Sequence, residues 1–503
     1  MPEEKKEQRA KDELEYNGST TSQQIAFSRN SRLTYTAIAD WMVLRKKEKP
    51  IARMFHVAYL AKSRGAGNRP VTFVFNGGPG AASAYLHMGA LGPRRAVFSS
   101  DGDLERPPAK ITSNADSWLS FTDLVFVDPI GTGFSRMIEA KTQSDKKKEN
   151  AEKTTGDAEP TEFFEVTRDL ESLGEFIQKF LSKHHRWTSP VFIAGESYGG
   201  FRVAKLARML QEKYGVGLNG AVLISPAIEF DSLIGSDYNF MHWLELIPSM
   251  TAAAWVHSQG TKRKSQSVLE ALLAKAEAFA QADYLALLGQ GSSMSDARKT
   301  RILRAVSKLV GVDIDILQRC GGRLDHYVFA RELLRANQQV CGLYDASLTA
   351  EDPFPDRMYY EGPDPTLASI DRVFQAAINT QLRETLGVET ELDYQLLSYD
   401  VNEAWKEKGN ERIFRQHVGA MDDLRYGMSL NPHMQVRISQ GYFDLVTPYF
   451  SSNRLVEHMK LNASLRGNLT TEHYLGGHMF YSWDASRKAF SKSMAKFYKD
   501  ATP

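Results

Sequence analysis

Hydrophobic positions follow two rhythms along this chain. Short apolar runs rich in β-branched and aromatic residues, bounded by turn formers, predict strands over 32–46, 52–62 and 71–75, and again over 124–128, 191–195 and 221–226. Between them, Phe163, Val166, Leu170, Leu173, Phe176, Ile177 and Phe180 recur at helical spacing within 162–183, and Val203, Leu206, Ala207 and Leu210 do the same within 199–214. Strands that alternate with helices and are apolar along their whole length build a parallel sheet covered on both faces, so the fold class is α/β.

From about 229 to 433 the rhythm becomes long and amphipathic, with helices predicted over 267–288, 298–319 and 369–386 and hardly any strand signal. A helical cap inserted into the sheet domain follows. Strands return at 434–439 (MQVRIS) and 471–475 (TEHYL), with a helix at 447–459 between them. The expected organisation is a polar N-terminal arm at 1–25, a first core part at 26–228, the cap at 229–433 and a second core part at 434–503. Residues 141–160, almost wholly polar, read as an exposed loop. No repeat at a fixed period is evident.

Composition then narrows the field. Of 503 residues, 42% are hydrophobic and 24% charged, enough apolar material for a sizeable core and too much for a disordered chain. Basic and acidic residues number 62 and 61, a net charge of +1, so no global field favours nucleic acid or an anionic membrane surface. No apolar run reaches the roughly 18 residues of a spanning helix, and the charged start MPEEKKEQRAKDELE lacks the apolar stretch of a signal peptide. A cytoplasmic protein and a mature form that has lost its leader both fit. The two cysteines, Cys320 and Cys341, allow one bridge or two free thiols and exclude a disulfide framework.

Candidate chemistry centres on Gly195-Glu196-Ser197-Tyr198-Gly199, a G-x-S-x-G pattern with an apolar strand before it and a helix after it. That is the context of a nucleophile elbow, whose sharp turn lifts the serine hydroxyl clear of the sheet. A serine nucleophile needs a base, and the base needs a group that fixes its tautomer and stabilises the imidazolium. Downstream of the cap the histidines are His433, His458, His473 and His478. His458 falls in a helical pattern and His473 in a strand, whereas His478 follows the last strand in a Gly-Gly-His turn able to bring an imidazole over the serine. Asp444, in the turn after MQVRIS, puts a carboxylate at the C-terminal edge of a strand, where the catalytic groups of such sheets gather. The turn Asn76-Gly77-Gly78-Pro79-Gly80 offers exposed N–H donors and close backbone approach, as an oxyanion hole requires.

NGGPG, VDPIGTGFS, GESYGG, GYFDLVTPY and GGHM, in this order, resemble the serine carboxypeptidase family, more closely its bacterial branch, from about residue 32 to 490; VCGLYD in the cap adds to the likeness. The resemblance implies an α/β-hydrolase fold, a mostly parallel central sheet flanked by helices with an inserted helical cap. It implies Ser197, Asp444 and His478 as the triad, the N–H groups of Gly78 and Tyr198 as the oxyanion hole, and Asn76, the N–H of Gly77, and Glu196 as the group holding the substrate's terminal carboxylate. An ionised Glu196 at about 4 Å from that carboxylate would cost roughly 4 kcal/mol at an effective dielectric of 20, so cleavage of C-terminal residues from peptides should be strongest in mild acid. The implied partner is a peptide with a free C-terminus, with no nucleic acid, membrane or cofactor. An acyltransferase or esterase using the same triad is the alternative, and a silent binding module is disfavoured by the intact set. The chain departs from the family's usual pattern at Phe75, where tryptophan is common, and at Ala81 and Ala82, where cysteine and serine are, which leaves open how the loop behind the site is braced.

Overall fold

The computed structural model describes residues 16–62, 69–138, 162–258, 265–406 and 418–502. The polar stretch at 141–160 and the first fifteen residues lie outside them. Three long antiparallel strands, β1 (Ser19–Ser28), β2 (Ser31–Lys46) and β3 (Lys49–Ala61), lead into β4 (Val71–Phe75), β5 (Asp123–Val127), β6 (Val191–Glu196), β7 (Gly220–Ile224), β8 (Gln435–Gly441) and β9 (Leu469–Tyr474). Their order across the sheet is β1-β2-β3-β5-β4-β6-β7-β8-β9, and a two-residue strand, Arg136–Met137, pairs with β3 as the tenth member. β5 runs antiparallel to β3, and from β5 onward every pairing is parallel. This is the α/β-hydrolase fold, entered through an antiparallel edge.

Along the chain, α1 (Val166–Lys183) and α2 (Tyr198–Lys213) flank β6. After β7 come α3 (Met241–His257), α4 (Gln266–Phe279), α5 (Asp296–Val310), α6 (Leu367–Asn379) and α7 (Met421–Leu430). Then α8 (Tyr449–His458) separates β8 from β9, and α9 (Asp484–Ala501) closes the chain. The parallel strands are buried at every position from β4 to β7, which is why they read as near-continuous apolar runs. On one face Phe73, Ile193 and Leu223 pack with Leu173 and Phe176 of α1, Val203 of α2 and Leu424 of α7. On the other, Val74, Phe192 and Val222 pack with Phe374 of α6 and Phe490 and Met494 of α9. Adjacent residues of one strand thus feed opposite layers, as the period of two demands.

Two expectations need restating. The polar arm expected to reach residue 25 ends earlier, because Ser19–Ser28 is hydrogen-bonded along β2 from Ser19 opposite Ala39 to Ser28 opposite Ser31. An edge strand takes its backbone bonds from one neighbour and buries little, and only Ile25 of its ten residues is buried, so nothing in its side chains announced a strand. The stretch 229–433, expected as one helical cap, has no single core. α3, α4 and α5 share a cluster with Phe329, Tyr442 and Tyr449, whereas α6 lies with one sheet face and α7 with the other. Cys320 and Cys341 are free thiols.

Candidate active site

Ser197 sits between β6 and α2 at φ 59° and ψ −124°, a left-handed conformation that a side-chain-bearing residue adopts only when its surroundings enforce it. Here they do. The Ser197 N–H donates to Ile224 O at 2.9 Å, and Ser197 O accepts from Gly200 N at 2.8 Å and Ala227 N at 3.1 Å. A Cβ at Gly195 would come within 2.1 Å of Gly199 O, and one at Gly199 within 2.5 Å of Phe75 O, so the pattern's glycines are demanded by backbone crossing backbone.

At the C-terminal end of β8, Asp444 is fully buried and held by four donors. Val446 N (2.8 Å) and Thr447 N (2.9 Å) reach Oδ1, while Thr447 Oγ1 and His478 Nδ1, each at 2.7 Å, reach Oδ2. The Gly-Gly-His turn is anchored by three hydrogen bonds. His478 N–H donates to Tyr344 O at 2.5 Å, Gly477 N–H to Asp345 Oδ2 at 2.9 Å, and Ser225 Oγ to His478 O at 2.7 Å. Tyr344 packs edge-on against the imidazole at 5.2 Å between centroids. Burial acts to lower the His478 pKa; the charge and hydrogen bond of Asp444, with Glu196 adding, outweigh it and leave the imidazole above its ordinary value. The other downstream histidines lie elsewhere: His433 and His458 are exposed, and His473 is bound to Asn453 at 3.1 Å.

Beside Ser197, Glu196 is buried with Asn76 Nδ2 donating to its Oε2 and the Tyr481 hydroxyl to its Oε1 at 2.7 Å. Burial lifts the Glu196 carboxyl to about 7, against the pull of His478, Tyr481 and Asn76. The loop carrying Asn76 passes so close to the elbow that a Cβ on Gly77 would lie 2.5 Å from Tyr198 N. Below it, Arg202 is fully buried; it pairs with Asp169 of α1 at 2.7 Å and donates to Asn76 O at 2.7 Å. Asn76, Gly77, Gly78, Glu196, Ser197 and His478 all border one cavity, whose remaining walls include Tyr85, Tyr344, Leu367, Leu397 and Met479. Asn76–Gly78 follow β4, Glu196 ends β6 with Ser197 next to it, His478 follows β9, and Asp444 follows β8.

A family model described as serine carboxypeptidase matches residues 38–474. The chain belongs to the serine carboxypeptidase family. Among relatives, Serine carboxypeptidase-like 13 of Arabidopsis thaliana is 26% identical over 182 residues, 35% of this chain and 37% of that one. Serine carboxypeptidase 3 of Oryza sativa subsp. japonica is 30% identical over 197 residues, 36% of this chain and 32% of that one. The matched part thus spans about a third of the length of these relatives. Proline iminopeptidase of Mycobacterium smegmatis overlays 96% of this chain and 99% of its own at a TM-score of 0.34 and 11% identity, a likeness too loose to carry weight.

Around Ala81 and Ala82 the glycine loop is braced by two backbone bonds and one side-chain amide. Ala82 N–H donates to Leu396 O at 2.9 Å, Ser398 N–H to Gly80 O at 2.8 Å, and Asn402 Nδ2 to Pro79 O at 3.0 Å. Thr447 lies in GYFDLVTPY and Tyr344 and Asp345 in VCGLYD, but sequence reasoning gave them no role, and it did not reach Tyr481 or the Asp169–Arg202 pair. The last left a signal: Asp169 and Arg202 fall on the apolar stripes of α1 and α2, where an unpaired charge would be costly.

Proposed function

We propose that this chain is a serine-type carboxypeptidase that releases C-terminal residues from peptides through an acyl-enzyme on Ser197. In this reading the Ser197 hydroxyl attacks the last peptide carbonyl while His478 takes its proton, and Asp444 holds the imidazole's tautomer and the charge that forms. The Gly78 and Tyr198 N–H groups receive the developing oxyanion. Collapse breaks the C–N bond, and the proton on His478 leaves with the amine. Water then attacks the ester, giving a proton to His478 that returns to Ser197 as the peptide acid departs.

The observation that carries the proposal is the shared cavity: the His478–Asp444 dyad and Ser197 adjoin Glu196 and Asn76, a carboxyl group and an amide bonded to each other where a free substrate carboxylate would lie. Two carboxyl groups meeting there are compatible only if they share a proton. Glu196, held near 7 by burial, has one to offer in mild acid and loses it as pH rises, so activity on free acids declines through neutrality. We place the chain in the family's bacterial branch on the resemblance of its five motifs and of VCGLYD. The substrate is a peptide; neither nucleic acid, membrane nor cofactor has a role.

Fluorophosphonate labelling of the chain and of Ser197→Ala, with cleavage of a blocked dipeptide and its C-terminal amide at pH 5 and pH 8, tests this. Labelling lost in Ser197→Ala, with the free acid preferred at pH 5, is expected. Acid and amide cleaved alike at both pH values would mean an esterase or acyltransferase on the same residues; no labelling would end the enzymatic reading.

A further inference from the structure

We propose that Tyr481 is a positioning residue of this site: by donating to Glu196, its hydroxyl sets the upper pH limit at which the chain holds a substrate's free carboxylate. The inference rests on the reading of Glu196 above and adds a control that none of the motifs contains. Tyr481 is fully buried in the short turn Phe480–Ser482 that follows the His478 loop, and its ring lies against the backbone of Gly89, where an added Cβ would come within 2.6 Å of Tyr481 Cε2. With the ring so confined, the hydroxyl is delivered 2.7 Å from Glu196 Oε1.

The two partners of Glu196 are chemically unequal. Asn76 Oδ1 accepts from Leu86 N at 3.0 Å, which fixes the amide so that Nδ2 faces Glu196, and that group can only donate. A phenol both donates and accepts, so Tyr481 can accompany Glu196 through its titration. Donation to Oε1 favours the ionised carboxylate, and so the hydroxyl works against burial, which favours the acid. The titratable groups facing Glu196 are His478 and Asp444 from the turns after β9 and β8, Tyr481 itself, and Tyr85 from the helical turn Ala84–Leu86. Of these only Tyr481 is bonded to the Glu196 carboxylate oxygens.

Tyr481→Phe removes one oxygen and keeps the ring. The alkaline edge of kcat/KM for a blocked dipeptide with a free C-terminus should then move up by about one pH unit, the size of one lost hydrogen bond to a charged group. With an ester substrate that has no free carboxylate, the edge should stay where the parent chain has it. An unmoved or lowered edge for the free acid, or an equal loss of rate at every pH, overturns the proposal. Infrared titration of the Glu196 carboxyl band, in Ser197→Ala with and without Tyr481→Phe, reads the same link without turnover and should show the same upward shift. If the parent chain cleaves acid and amide alike, the carboxylate-site reading fails by itself, and the infrared titration still upholds or overturns the Tyr481–Glu196 coupling.

Discussion

Removing Asp169 should damage the site from beneath. Its partner Arg202 is fully buried, takes bonds of 2.7 and 3.3 Å to the two Asp169 oxygens, lies 5.0 Å from the Tyr198 ring centroid, and donates to Asn76 O. Burial raises the Asp169 carboxyl above its ordinary value and Arg202 pulls it back. In Asp169→Asn the guanidinium loses its counter-charge with no route to water, at a cost of about 3–5 kcal/mol, a large share of the roughly 5–15 kcal/mol of a typical domain. Asp169→Leu combined with Arg202→Met removes both charges; replacing a buried pair by apolar groups is often neutral or stabilising, here offset by about 1–3 kcal/mol for the Asn76 carbonyl left without its donor. Denaturant unfolding should therefore show the single variant strongly destabilised and the double variant close to the parent. Activity should part company with stability. Only the double variant lacks the Arg202 donor to Asn76 O that sets the height of the Asn76–Gly78 loop, and a displacement near 1 Å at a reacting centre costs on the order of 10²-fold, so the double variant should fold well and cleave about 10²-fold more slowly. A double variant that regains both stability and rate would refute the link between this ion pair and the glycine loop.

Two further changes test neighbouring parts. Glu196→Gln should abolish the decline of free-acid cleavage above pH 7: at pH 8, one unit above the buried carboxyl near 7, about a tenth of parent chains keep the proton, so the variant-to-parent ratio of kcat/KM should be about tenfold higher at pH 8 than at pH 5. Persistence of the edge in the variant would assign it to another group. Gly77→Ala forces a methyl group to within 2.5 Å of Tyr198 N, and the loop must lift away from the elbow; losing one oxyanion donor costs about 10²–10³ in kcat, measurable by burst kinetics with an activated ester alongside a thermal melt that checks folding.

Local pattern announced most of the sheet because strands buried on both faces carry apolar residues at nearly every position, as in Phe73, Phe126, Phe192 and Leu223. β1 was missed because an edge strand bonds through its backbone and leaves Ser19–Gln24 largely in water. The glycine motifs were legible for a similar reason: Gly77, Gly195 and Gly199 stand where backbone crosses backbone, and no other residue fits.

By itself the sequence determined which strands alternate with which helices, the elbow around Ser197, and a short set of candidate groups, since each depends on residues near one another in the chain. Only the tertiary structure decided that His478 Nδ1 lies 2.7 Å from Asp444 and not beside another carboxylate, that Leu343–Ala346 lies against both of their turns through Leu445 N–H to Leu343 O and His478 N–H to Tyr344 O, and that Tyr481 reaches Glu196 from 285 residues away. Such contacts depend on where separate strand ends meet along the sheet edge, and on which buried polar groups must then find partners. Neither condition leaves a periodic trace in the chain.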